Sequence, residues 1–473
     1  MKILFVSTEA EPFAKSGGLG DVVGSLPKQL KNRKADARVI LPLYKSIKRR
    51  FAGDLNFIGE ITVTLSWRRQ YCGLFSIEDN GILYYFVDNE QYFGRDAYYG
   101  YYDDGERFAY FSKAVLELLK IMEFKPDILH CNEWQTAMIP VYLKSVYKND
   151  DFYRPVRSVF TIHNIEYQGK FDTAVAQDII GLPIGDLPLI ELNGMVNMMK
   201  GAIICCDRLT TVSESYSREL KDPYFAHGLD GVIRDNDFKL IGIINGIDYE
   251  KFDPATDRVI YANYNGRTID KKLVNKAALQ EQMGLRIDPD IPMIGMVGRM
   301  VAHKGMDLVK NSFTGIMEEN VQFVVLGTGD EEYKHFFTHK AHEYKGKVAA
   351  SIHFSTDMAN KIYAASDMFL MPSKSEPCGV AQMIALRYGT IPIVRKTGGL
   401  RDSILTFDSE SGTGNGITFD DYSENAMMNA IRQALDYYQE KKMWKKLVSN
   451  ALRSDFSWKK SAAKYMELYK SLI

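Results

Sequence analysis

Short apolar runs rich in Val, Ile and Phe recur along the chain, and each ends in a glycine or polar turn that gives way to apolar residues at helical spacing. In the first half these runs are Lys2–Thr8, Ala37–Leu41, Ile128–His130, Ser158–His163 and Leu209–Val212. Strands that alternate with helices in this way predict a parallel sheet covered by helices on both faces. A second series starts at Pro292–Gly298 and continues through Gln322–Leu326, Phe369–Pro372 and Ile391–Val394, predicting a second doubly wound body. Between the two, Asn245-Gly246-Ile247-Asp248 is a turn signal and the stretch to Pro292 is polar and irregular, so the boundary is placed near residue 245. Residues 1–245 are expected to form one Rossmann-like domain and 246–457 the other. The closing segment, Trp458–Ile473, carries Ala462, Tyr465, Met466, Leu468, Tyr469 and Leu472 at helical spacing and needs somewhere to bury that face.

Length and charge narrow the picture. The chain has 473 residues, more than the roughly 250–300 at which a single core stops growing, so a cleft between two domains is expected. Lys and Arg number 59 against 60 Asp and Glu, which excludes a strongly basic nucleic-acid binder and a polybasic membrane binder. The opening apolar run is too short for a signal peptide, and no stretch approaches the ~20 apolar residues of a membrane span, so a cytoplasmic location is expected. The five cysteines fit neither a disulfide framework nor paired zinc knuckles. Cys72, Cys131, Cys205 and Cys206 read as small core residues.

In doubly wound folds, ligands bind beyond the carboxyl ends of the strands, and that rule selects four loops. Lys15-Ser16-Gly17-Gly18-Leu19-Gly20-Asp21 follows the first strand and opens a helix. Its glycines permit close backbone approach, its helix-end amides favour phosphate, and Lys15 adds charge, although an ordinary tight turn would look the same. Gly298-Arg299-Met300-Val301-Ala302-His303-Lys304-Gly305 offers two cations that can clamp a diphosphate, or a solvated basic loop, with His303 structural. Ser375-Glu376-Pro377-Cys378-Gly379-Val380-Ala381-Gln382 runs into a helix, with Pro377 suited to its first turn and a carboxylate beside amides able to take sugar hydroxyls. The alternative is an N-cap Glu on a buried helix. Cys378 at a helix N-terminus would be more reactive than the other thiols. Lys396-Thr397-Gly398-Gly399-Leu400 echoes the first loop.

Two further features have competing readings. His335, His339 and His342 share a helical face with Glu331 and Glu332 but lack a completing ligand shell, so a solvated face is expected and no metal site. The aromatic run Ala97–Asp104 could stack on sugar rings or pack beneath a loop.

Taken in order, Lys15–Val22, Tyr101-Tyr102-Asp103-Asp104, Phe160-Thr161-Ile162-His163-Asn164, Asn245–Asp248, Glu376-Pro377-Cys378-Gly379 and Thr397-Gly398-Gly399-Leu400 resemble the bacterial glycogen synthases and plant starch synthases, from Met1 to the last helix. The resemblance implies an α/β GT-B fold of two Rossmann-like doubly wound domains facing a central cleft, the last helix returning to the first domain. It implies transfer of glucose from ADP-glucose to the non-reducing end of an α-1,4-glucan with retention and without a metal or other cofactor. On matching positions, Lys15, Arg299 and Lys304 would hold the donor phosphates. His163, Asn164, Asn245, Glu376 and the loop Cys378, Gly379, Val380 would meet the glucose, with Gly17, Gly18, Asp21, Thr397, Gly398 and Gly399 close to the donor. His163, Arg299, Lys304 and Glu376 are the catalytic candidates.

The chain departs from the family pattern at Asn132-Glu133-Trp134, where Asp is usual and Glu133 adds a methylene toward the glucose pocket. Ile384 stands where related transferases place a second carboxylate, and Phe354 stands at the adenine-stacking position, often Tyr. The competing readings are a UDP-glucose-dependent relative and a catalytically silent glucan-binding protein that keeps the fold.

Overall fold

In Lys2–Val6, the residues Ile3, Leu4, Phe5 and Val6 are all fully buried, a pattern that only a strand covered on both faces can satisfy. This strand lies in a nine-stranded sheet of the computed structural model, which describes residues 1–473. The order across the sheet is Leu240–Gly242, Arg208–Thr211, Arg157–Ile162, Ile128–Asn132, Lys2–Val6, Asp36–Pro42, Ile82–Asp88, Arg68–Asp79 and Asn56–Leu65. Lys2–Val6 pairs in parallel with Asp36–Pro42 on one side and Ile128–Asn132 on the other, so the strand order reverses there.

The first seven of those strands are parallel, but at one edge Arg68–Asp79 pairs antiparallel with Ile82–Asp88 and Asn56–Leu65 antiparallel with Arg68–Asp79, an extension the parallel-sheet reading did not include. The cause is local. Two-residue turns, Ser66-Trp67 and Asn80-Gly81, connect these strands as hairpins; Asn80 and Gly81 both take positive φ, of 50° and 72°. Asn56–Leu65 is largely exposed, as an edge strand can be.

The chain divides into two compact units, Met1–Asn245 with Trp458–Ile473, and Gly246–Ser457. In the first, the helix Trp458–Lys470 packs on the helix Gly18–Lys31. Tyr469 is fully buried and its hydroxyl meets His130 Nδ1 at 2.6 Å, while Ser461 Oγ donates to the Ile244 carbonyl at 2.6 Å. The second unit holds a six-stranded parallel sheet in the order Val348–Ser351, Gln322–Leu326, Met293–Val297, Met368–Met371, Ile391–Arg395 and Ile417–Phe419. Its reversal falls between Met293–Val297 and Met368–Met371. No helix is long and apolar enough to cross a membrane.

Candidate functional site

All four loops chosen from the sequence emerge from carboxyl ends of parallel strands. In the second unit the strands Met293–Val297 and Met368–Met371 are neighbours, so the loops that follow them lie side by side. Lys374 N–H donates to the His303 carbonyl at 2.9 Å, and a Cβ on Gly305, whose φ is 78°, would overlap the Pro372 carbonyl oxygen. This close seating brings Lys304 Nζ to 2.8 and 2.6 Å from the two oxygens of Glu376, and Ser373 Oγ donates to Glu376 at 3.1 Å. Glu376 is buried while Lys304 remains partly exposed. An ammonium has three N–H donors; two go to the carboxylate and one stays available. Arg299 is exposed and in no ion pair, so the two cations of this loop differ: one is committed to a carboxylate, the other open.

The loop from Ser375 to Val380 differs from its expected form. The helix begins at Ala381, with Val380 as its N-cap, so Pro377 and Cys378 precede it rather than forming its first turn. Gly379 has φ of 70°, which breaks helical continuation, and the Gln382 amide donates to the carbonyls of Cys378 and Gly379, both at 3.1 Å. The helix-end argument for a reactive Cys378 thereby loses its footing, and Cys378 is buried like the other four cysteines. Burial pushes the Cys72 and Cys206 thiols up to about 12 and Cys205 to about 11, as small core residues should behave. Gly398 and Gly399 press against this loop: a Cβ on either would overlap a carbonyl oxygen, of Glu376 or Cys378. Thr397 N-caps the short helix Gly398–Ser403. Phe354, in the turn after Val348–Ser351, is 80 % exposed and free to stack on a planar ring.

In the first unit, Gly17 N-caps the helix Gly18–Lys31 without a side-chain cap. A carboxylate absent from the sequence reading organises this loop. Glu9, buried just past the first strand, accepts from Ser16 N–H at 2.6 Å, Ser16 Oγ at 2.6 Å and Gly17 N–H at 3.2 Å. These two amides are therefore already satisfied, and an incoming anion would meet the amides beyond Gly17. The clue in the sequence was an acidic residue between the strand and the glycine pair. Tyr99 donates to Glu9 at 2.8 Å and meets Thr8 Oγ1 at 2.7 Å, so this tyrosine of the aromatic run packs beneath the loop. Asp103 grips Arg95, Asp104 forms a buried ion pair with Arg107, and Tyr102 is 98 % exposed.

Lys15 Nζ lies 2.5 Å from Asp21 and 3.5 Å from Glu11. Burial works against the Lys15 charge, but the Asp21 and Glu11 carboxylates outweigh it and hold the ammonium above its ordinary value. Burial raises Asp21 in turn, against the pull of Lys15.

Glu133 and His163 meet at the ends of Ile128–Asn132 and Arg157–Ile162. Glu133 Oε1 accepts from the backbone N–H of His163 at 2.5 Å and of Asn164 at 2.8 Å, so its longer side chain ties down the turn after the second of these strands. The backbone of Glu133, at φ 64° and ψ 169°, occupies a region normally left to glycine, at a cost of about 1–3 kcal/mol. Burial raises this carboxyl to about 8, against the two amides that favour its charge. His163 Nε2 contacts Asn132 Oδ1 at 3.0 Å. Asn132 uses its N–H groups on the carbonyls of Val6 and His130, so its oxygen must accept and His163 carries its proton on Nε2. Shielding pushes His163 down to about 3, which keeps the ring neutral. Asn245 is buried with its Oδ1 unpartnered, an arrangement that ordinarily costs about 1–3 kcal/mol. The solvated face expected of the histidines is present: His335 and His339 are exposed beside Glu331 and Glu343.

Two Rossmann-like units with cationic, glycine-rich loops at their strand ends define a glycosyltransferase of the GT-B fold, and residues 280–451 match the family described as glycosyl transferases group 1. Residues 2–235 match the starch synthase catalytic domain. The chain is 49% identical over 476 residues to the glycogen synthase of Clostridium perfringens, covering 100% of this chain and 98% of that protein. It is 46% identical over 475 residues to that of Geobacillus stearothermophilus, with 100% and 98% covered. Among solved structures, the catalytic domain of starch synthase IV from Arabidopsis thaliana, bound to ADP and acarbose, superposes with a TM-score of 0.92 at 34% identity over 99% of each chain. A sucrose-phosphate synthase from Thermosynechococcus elongatus shares the fold alone, with a TM-score of 0.63 at 16% identity over 100% of this chain and 98% of that one. The chain belongs to the glycogen and starch synthase family.

Proposed function

We propose that this protein elongates an α-1,4-glucan in the cytosol by moving glucose from ADP-glucose to the non-reducing end with retention at the anomeric carbon. The observation that carries the reading is Lys304 held within 2.8 Å of both oxygens of buried Glu376, which seats a cation and a sugar-binding carboxylate side by side. Support for the donor comes from the full-length likeness to glycogen synthases and from the ADP in the starch synthase IV structure.

In this mechanism the bond from C1 to the diphosphate breaks first, and the acceptor 4-hydroxyl attacks C1 on the same face. A leaving phosphate oxygen takes the hydroxyl proton, so no enzyme carboxylate need act as nucleophile. Arg299, the free N–H of Lys304, and Lys15 meet the charge that builds on the departing diphosphate in place of a metal or other cofactor. His163, Asn164, Asn245, Glu376 and the backbone of Cys378, Gly379 and Val380 orient the glucose. Gly17, Gly18, Asp21, Thr397, Gly398 and Gly399 shape the donor surroundings, and Phe354 stacks on the base. Neutral His163 donates through Nε2 to Asn132 and cannot serve as an acid at physiological pH.

The deciding experiment offers glycogen with ADP-glucose or UDP-glucose, in the presence of EDTA, and follows nucleoside diphosphate release. Turnover with ADP-glucose supports the reading. Turnover with UDP-glucose alone would replace the donor, a loss in EDTA would overturn metal independence, and no turnover would leave a glucan-binding protein that keeps the fold.

A further inference from the structure

The hairpin that joins Asn56–Leu65 to Arg68–Asp79 turns at Ser66-Trp67 and presents an indole that is 71 % exposed. Burial does not explain this tryptophan, yet it is held firmly. Its Nε1–H donates to Asp178 Oδ1 at 2.7 Å, and the Arg68 guanidinium lies over one ring face, 4.3 Å from the centroid. Arg68 is itself fixed, donating to Asp178 Oδ2 at 2.9 Å and pairing with Glu106 at 3.3 Å. Ser66 Oγ adds a tie to the Gln177 carbonyl at 3.1 Å. With one face against Arg68, so exposed an indole turns its other face to solvent.

We propose that Trp67, with Arg68 and Asp178, is a binding platform for an α-glucan chain, separate from the loops that carry the candidate catalytic residues. The inference rests on the glucan reading above and adds a second point of attachment for the polymer. Three features select the ligand. A pre-oriented aromatic face suits the apolar side of a pyranose and loses little conformational entropy on binding. The Asp178 carboxylate at its edge keeps lone pairs that can accept from an adjacent sugar hydroxyl. The single cation is balanced by Asp178 and Glu106, so the patch has no positive excess with which to draw phosphates or nucleic acid and fits a neutral polyol. A polymer held here stays near the enzyme between transfers, which raises the effective concentration of its chain ends.

The test compares wild type with Trp67→Ala and Trp67→Tyr, using glycogen and maltotetraose as acceptors, and measures retardation in native gels containing glycogen. Trp67→Ala should raise the KM for glycogen roughly tenfold and abolish most of the retardation, while kcat and the maltotetraose KM stay at wild-type values. Trp67→Tyr should restore most of the retardation, because a ring face remains. Unchanged glycogen KM and retardation in Trp67→Ala would overturn the platform. Equal losses on both acceptors with a lowered Tm would reassign Trp67 to folding, and a halved solution mass would reassign it to contact between copies. A wild type that glycogen retards but that turns over neither nucleotide sugar would defeat the function reading alone, leaving the platform to be judged by the gels.

Discussion

Lys15-Ser16-Gly17-Gly18-Leu19 and Lys396-Thr397-Gly398-Gly399-Leu400 share a sequence form, a place after a parallel strand and a helix start, but their glycines are surrounded differently. A Cβ on Gly398 or Gly399 would overlap the backbone of the Glu376–Cys378 loop, whereas a Cβ on Gly17 or Gly18 would meet nothing within 4 Å. Packing inside the second unit therefore requires glycine at 398 and 399. Nothing inside the first unit requires it at 17 and 18, where the open space suits a ligand. The ion pairs differ in the same sense. Lys304 and Glu376 have side chains 23% and 7% exposed, while Lys15 and Asp21 are at 32% and 30%. A motif repeated in both halves can thus be fixed by packing in one and left free of it in the other.

The strongest way to break the contrast is Lys304→Ala. Removing the cation should lower kcat by about 10²–10³ with little change in acceptor KM, the scale of a lost electrostatic contact to a transition state. It also strands buried Glu376, so Tm should fall; Lys15→Ala, at an exposed pair, should slow turnover while leaving Tm nearly unmoved. Unchanged kcat in Lys304→Ala would remove this residue from the chemistry. Next in size, Gly399→Ala should cost about 3 kcal/mol through overpacking, seen as a Tm lower by roughly 6–12 °C. Gly18→Ala should fold normally yet raise the donor KM. If calorimetry showed the two glycine variants equally destabilised, the contrast would fail. Glu9→Ala tests the packing beneath the open loop, and a severalfold rise in donor KM with acceptor KM unchanged is expected.

The smallest effect concerns pH. Folding raises the Glu133 carboxyl from 4.5 to about 8, so the folded state binds the proton more tightly. Its contribution to stability is fully present below about pH 4.5 and is lost as pH rises through 8. His130 and His163, lowered from 6.5 to about 3, act in the opposite sense: their contribution is present above 6.5 and lost as pH falls toward 3. Thermal scans above pH 6.5 leave the two histidines out, while Lys272, lowered by burial from 10.5 to about 7, acts against Glu133 above pH 7, so Glu133→Gln should make Tm rise more, or fall less, than in wild type between pH 6.5 and 8. Parallel pH profiles of Tm in the two proteins would remove Glu133 as a contributor.

What could be read from the sequence follows a physical divide. Strands buried on both faces announce themselves as continuous apolar runs, so Lys2–Val6, Gln322–Leu326 and Ile391–Arg395 stand out, and the loops beyond them follow by rule. The half-exposed strands at the edge lack that signal. Asn80-Gly81 was a legible hairpin mark, but Ser66-Trp67 was not, because serine with φ of 54° follows no common turn preference. Within the site, residue types were readable and partners were not. No spacing tells that Lys304 binds Glu376, 72 residues away, since that contact depends on two neighbouring strands and on Gly305 seating one loop against Pro372. The helix start at Ala381 was hidden by Gly379, whose left-handed backbone delays a helix that Pro377 would otherwise suit.

The helix Trp458–Lys470 completes the first unit, yet it leaves the ribosome only after all of Gly246–Ser457. During synthesis, His130 and the face of Gly18–Lys31 must wait for Tyr469 and its neighbours while more than two hundred residues are made. The second unit has every strand of its sheet before the first can close. Birth order in the cell therefore runs against sequence order, with the later half able to settle first and the earlier half sealed last.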